Sequence, residues 1–169
     1  RREGLRDFGA CMAPQTAFQI LQGIETLPLR MARHVENTRK IVAFLATAPL
    51  VESIAYPELP THPDHALAQQ LLRGRASGVL SFGVRGGRAA GERFLDSLKL
   101  VTRLVNIGDA KSLATHTAST THRQLAPEEL QRAGVSEDMV RLSIGIEHIE
   151  DLLADIGQAL RASQLRAAA

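Results

Sequence analysis

The sequence predicts a layered α/β (α+β) fold, and three observations carry the prediction. Apolar residues recur at helical spacing over Pro14 to Ala48 and again over Ile149 to Leu160. Between them lie short runs of alternating apolar residues, bounded by Gly and Pro. The length of 169 residues suits one domain, or one domain with an appendage, and can bury roughly 70% of the unfolded surface. Short strands alternating with helices imply packed layers.

Pro14 fits the first turn of a helix, and Ala17, Phe18, Leu21 and Ile24 follow at helical spacing. Gly23, Thr26 and Pro28 read as a stop and a restart. Met31, Val35, Thr38, Val42 and Leu45 then form an apolar stripe, with Arg33, Glu36, Asn37, Arg39 and Lys40 on the opposite face. Pro49 ends this helix. Val51 to Tyr56 alternates as a strand and stops at Pro57. Asp64 is placed to cap a helix from His65 to Leu72. Val79 to Val84 is a second strand, and Ala89 to Leu98 a helix. Val101 to Ile107 reads as a third strand. Ser112 to His122, rich in Thr and Ser, reads as a short strand and an irregular loop. Pro127, Glu128 and Glu129 open a helix that Gly134 closes. Met139 to Ile146 is a strand, Ile149 to Leu160 an amphipathic helix, and Ala167 to Ala169 a fraying tail.

Composition excludes several classes. Hydrophobic residues are 44% and charged residues 22%, which rules out a disordered tail. Aromatics are 4% with no Trp, so no stacking platform for single strands is available. The 20 basic and 18 acidic residues are interleaved, so no nucleic-acid partner is expected. No apolar run approaches a membrane span, so no membrane partner is expected either. Cys11 is the only cysteine, which fits a reducing compartment such as the cytoplasm. The first residue is Arg1, not Met, and the chain is expected to start inside a longer protein.

Few constellations suggest chemistry. Arg141 lies in an otherwise apolar strand, so its guanidinium faces either solvent or a bound anion. Ser112, beside turn N–H groups, is either a strand-end cap or a donor to a carboxylate. The histidines at 34, 62, 65, 116, 122 and 148 make no zinc pattern, and no metal site is expected. Gly83 to Gly87 matches no phosphate-binding motif. Cys11 has no triad partners.

Two stretches carry more. Ser112-Leu113-Ala114-Thr115-His116-Thr117-Ala118-Ser119-Thr120-Thr121-His122 and Val140-Arg141-Leu142-Ser143-Ile144-Gly145-Ile146-Glu147 together resemble the Cys/Met-metabolism family of pyridoxal-phosphate (PLP) enzymes. Gly23 to Met31, and Val51 to Tyr56 with Pro57 and His62-Pro63, resemble the same family, in the same order. Within it, Gly108-Asp109-Ala110-Lys111-Ser112-Leu113 looks most like the O-acetylhomoserine sulfhydrylases.

The resemblance implies an aspartate-aminotransferase-like fold of type I. Residues 1–48 would be connecting helices from the large domain, and residues 49–169 the C-terminal small domain with a short mixed or antiparallel sheet. It implies that Arg141 binds the substrate α-carboxylate with Ser112 helping, and that the parent enzyme is a homotetramer. The implied reaction replaces the acetate of O-acetylhomoserine with sulfide or a thiol. The same domain in a cystathionine γ-synthase or a methionine or cystathionine γ-lyase is the alternative, as is a stand-alone amino-acid-binding module. The Schiff-base lysine of the family has no match here, and Lys40, Lys99 and Lys111 do not substitute for it. The isolated chain is therefore expected to bind no PLP and to be inactive. Thr117 stands where the family usually has Pro.

Overall fold

The computed structural model describes residues 4–9, 11–120, 124 and 126–164. The readings made on Arg1, Arg2, Thr121, His122 and the Ala167–Ala169 tail lie outside these residues. A short helix α1 (Gly4–Phe8) precedes α2 (Pro14–Glu25) and α3 (Leu27–Thr47). Then come β1 (Val51–Ala55), α4 (His65–Leu72), β2 (Val79–Val84) and α5 (Gly87–Ser97). The remainder is β3 (Thr102–Arg103), β4 (Leu113–His116), α6 (Pro127–Arg132), β5 (Met139–Ser143) and α7 (Ile149–Ser163).

The strands form one sheet in the order β1-β2-β5-β4-β3. Every pairing is antiparallel except the edge pair β3–β4, which is parallel. The sheet is thus mixed; from α2 onward the order of helices and strands is the one the sequence pattern predicts, and α1 is an additional element. Strand extents differ from the pattern: β5 stops at Ser143 rather than Ile146, and the third strand differs most. The apolar run from Val101 to Ile107 supplies only two paired residues, Thr102 and Arg103, and Leu104, Val105 and Ile107 leave the sheet half or more exposed. An edge strand gains ladder bonds on one side only, so apolar composition there does not by itself extend the pairing.

Register divides the sheet into two faces. Leu80, Phe82, Val84, Val140, Leu142 and Ala114 point to one side and enter the core. Helices α3, α5 and α7 cover that side with Ile41, Leu45, Phe94, Leu152 and Ile156, all fully buried. Phe82 and Phe94 meet edge to face at 5.5 Å between ring centroids, joining β2 to α5; such a pair adds about 1 kcal/mol beyond its buried area. Ser81, Arg141 and Thr115 lie side by side on the opposite face.

Helix α3 corrects one detail of its stripe. Asn37, placed by type on the polar face, is fully buried along with His34, while Met31 is partly exposed. Spacing explains it: 34, 37, 38, 41 and 45 share one face of a helix. Helix α2 is well formed, yet none of its residues is buried, and Phe18, Leu21 and Ile24 are each more than half exposed.

Candidate functional site

Arg141 sits in the middle of the central strand β5, between Ser81 of β2 and Thr115 of β4. Alternation puts its side chain on the face away from the helices, because Val140 and Leu142 must enter the core. The residue is half-buried. Its guanidinium makes one long hydrogen bond, 3.4 Å, to the Asn106 carbonyl. Among the described residues no carboxylate pairs with it. A guanidinium with most of its five donors unused is the right partner for a two-oxygen anion.

The 104–111 loop borders this face. Gly108 N–H donates to Ser143 Oγ at 3.1 Å, and Ile146 N–H donates to the Ala110 carbonyl at 2.9 Å. A groove of about 490 Å³ lies at the β3–β4 edge, with Thr115, Arg103, Asp96, Glu92 and Thr120 in its wall. Thr115 belongs both to this groove and to the cross-strand pair with Arg141.

Ser112 ends the loop and is fully buried. Its hydroxyl donates to Glu147 Oε2 at 2.9 Å and accepts from Gly145 N–H at 2.8 Å. Its own N–H donates to Glu147 Oε1 at 2.5 Å. The single hydroxyl proton is thus already committed, and Ser112 works here as a clamp on the turn that ends β5. Asn37 grips the same turn from α3: Nδ2 donates to the Gly145 and Glu147 carbonyls at 3.1 and 3.0 Å. Gly145 is the required residue in the middle, because a Cβ would collide with the Ala110 carbonyl and Glu147.

At the other end of β4, His116 is fully buried. It lies within hydrogen-bond reach of Ser119 Oγ and the Glu137 carbonyl, both 2.8 Å away. Burial holds its pKa below the usual imidazole value, a direction opposed by the Glu137 carbonyl contact. Thr117 begins the 3-10 turn Thr117–Ser119 that follows.

Asp155 of α7 caps the segment that leads into β3. Its carboxylate accepts the N–H groups of Lys99, Leu100 and Val101, each at 2.9 Å. Burial alone would raise its pKa, but the three backbone donors and Gln158 together hold it below the ordinary value.

Two further histidines hold backbone carbonyls. His34 Nδ1 contacts the Ile144 carbonyl at 2.5 Å, and His65 Nδ1 the Pro57 carbonyl at 3.2 Å. Asp64 occupies the N-cap position of α4 but makes no side-chain cap bond. Among the described residues no cluster of His, Cys, Asp and Glu is built for a metal ion, and no helix is long and apolar enough to cross a membrane.

A family model for the Cys/Met metabolism PLP-dependent enzymes matches residues 2–161. The chain belongs to that family. It is 51% identical over 160 residues to O-acetyl-L-homoserine sulfhydrylase 1 of Thermus thermophilus, covering 95% of this chain and 38% of that protein. It is 48% identical over 164 residues to the L-methionine gamma-lyase of Pseudomonas putida, covering 96% and 41%. The fold matches a crystal structure from Campylobacter jejuni designated an O-acetylhomoserine (thiol)-lyase, with TM-score 0.86 and 42% identity. That match covers 94% of this chain and 38% of the other. The neighbour carries a pyridoxyl-lysine outside the stretch this chain spans. This member of the Cys/Met metabolism family therefore spans about two fifths of the length of these curated relatives.

The cofactor of the family needs a lysine in a desolvated pocket to hold it covalently. Lys40, Lys99 and Lys111 are all exposed. Lys40 is ion-paired with Glu36 at 2.7 Å on the surface of α3. The residues present do not fit covalent attachment of PLP.

Proposed function

We propose that this chain is the substrate-carboxylate-binding C-terminal domain of a PLP-dependent O-acetylhomoserine sulfhydrylase. Residues 1–48 connect it to the rest of the enzyme, and residues 49–169 form the domain. The observation that carries the reading is Arg141: central in the sheet, half-buried, on the face away from the core, and without a carboxylate partner among the described residues. Its fork binds the α-carboxylate of the amino acid and so fixes where the γ-substituent lies. Ser112 assists at the same site, through the Glu147–Gly145 turn to which its hydroxyl is bonded.

In the parent enzyme acetate leaves the γ-carbon of O-acetylhomoserine and sulfide or a thiol takes its place. The isolated chain, with no buried lysine, performs no such step. The parent is a cytoplasmic homotetramer on the same family footing. A γ-lyase is the second reading, favoured by the near-equal identity to a methionine gamma-lyase. The intact enzyme decides between them: homocysteine formed from O-acetylhomoserine and sulfide supports the first, and thiol release from methionine alone supports the second.

Arg141→Lys in the intact enzyme tests the carboxylate role. Losing one of two charge-assisted bonds costs about 1.5–3 kcal/mol, so KM for the amino acid rises roughly 10- to 100-fold. A KM within about twofold of the unsubstituted enzyme refutes the role.

A further inference from the structure

We propose that His116 is a positioning residue for Arg141, holding β4 against the start of β5 so that the guanidinium keeps its place on the sheet. The proposal rests on the carboxylate role of Arg141. Thr115 faces Arg141 in register, and the next residue, His116, faces Val140. Its ring therefore turns to the helix-covered side. The Glu137 carbonyl can only accept, so Nε2 carries the proton and donates to it at 2.8 Å. Nδ1 is then the acceptor for the Ser119 hydroxyl, also at 2.8 Å. One neutral ring thus ties the end of β4 to the residues entering β5 and to the turn after β4.

The space for the ring is made by Gly91 of α5, where a Cβ would come within 2.6 Å of the imidazole. Arg88, one turn earlier on α5, donates to the Ala118 carbonyl at 3.2 Å and braces the same turn. On the far side of Arg141, Ser112, Gly145 and Glu147 close the other end of the strand pair. Arg141 sits between two clamps, and only His116 fastens the N-terminal one through a side chain of β4. A long side chain amplifies small shifts of its backbone, so a slackened clamp misplaces the fork.

Two isosteres separate the ring's two bonds. His116→Asn keeps an acceptor near the Nδ1 position and loses the donor to Glu137. His116→Gln carries an amide donor to the Nε2 position. In the intact enzyme, His116→Asn raises KM for the amino-acid substrate about tenfold with kcat within about twofold. His116→Gln brings KM back to within about twofold of the unsubstituted value. A general loss of fold lowers the active fraction and hence the apparent kcat, and does not distinguish the two isosteres. An unchanged KM in His116→Asn, or an equal rise in both variants, overturns the proposal. Should His116→Asn fail to accumulate, Gly91→Ala, which presses a methyl against the ring, is read instead: a KM rise at unchanged kcat supports the role and an unchanged KM overturns it. Arg141→Lys run in parallel separates the failures. If it too leaves KM unchanged, the carboxylate reading has fallen; if it alone raises KM, only the role of His116 has.

Discussion

Replacing Asp155 with Ala takes one carboxylate away from three successive backbone donors. The N–H groups of Lys99, Leu100 and Val101 each lose a 2.9 Å bond. They do not lose it equally. Lys99 and Leu100 are exposed, so water replaces Asp155 for them, at about 0.5 kcal/mol each. Val101 is 3% exposed, and its N–H is left unpaired, at about 2 kcal/mol. The sum is about 3 kcal/mol, which for a chain of this size lowers the melting temperature by roughly 6–12 °C. Urea unfolding of the chain at pH 7, followed by circular dichroism, measures it.

Linkage supplies an internal control. The folded pKa of Asp155 lies below its ordinary value of 3.8. The unfolded state therefore binds more protons in acid, and the stabilisation is present above that value and lost as pH falls through the folded pKa. The gap between Asp155→Ala and the unsubstituted chain narrows below about pH 4. A loss under about 1 kcal/mol at pH 7, or a gap that stays constant into acid, refutes the capping role.

Two other expectations follow from buried groups. Tyr56 is the only tyrosine and there is no Trp, so near-ultraviolet absorbance reports it alone. Burial, then the Glu58 charge, pushes its pKa up to about 12; a midpoint near the ordinary value of 10.0 in the folded chain contradicts that environment. Gly145→Ala forces a methyl against the Ala110 carbonyl and Glu147 and destabilises by about 1–3 kcal/mol in the same urea assay; an unchanged midpoint shows that the turn has room to spare.

Local signals made most of the fold legible. Helical spacing located α2, α3 and α7, and the Gly and Pro boundaries located β1 and β2. In β5 the pairing sets Arg141 on the face opposite Val140 and Leu142, where the residue pattern alone left a choice between solvent and a bound anion. What was read less well divides by physical cause. Polarity puts Asn37 on the outer face, although its spacing from His34 and Ile41 places it inward; its amide nitrogen donates to two carbonyls more than a hundred residues away. Asp155 carried a similar signal, three residues after Leu152 and four before Ala159 on the buried face of α7. The Ser112–Glu147 clamp had none, since it joins residues 35 apart whose meeting depends on the loop between β3 and β4. The contraction of β3 is likewise a property of its edge position and not of its residues.

The strand order has a temporal meaning. The strand that carries Arg141 is the last in sequence and the middle one in space, filling the gap between β2 and β4. Until Met139 and its successors leave the ribosome, β1–β2 and β3–β4 are two separate pairs, each with an open edge toward the other. The central pairing of Phe82 with Val140 closes a span of nearly sixty residues, a long-range contact of the kind that folds slowly. Arg141 thus arrives with the piece that makes the sheet whole, so no product truncated before Met139 has either this arginine or the continuous sheet.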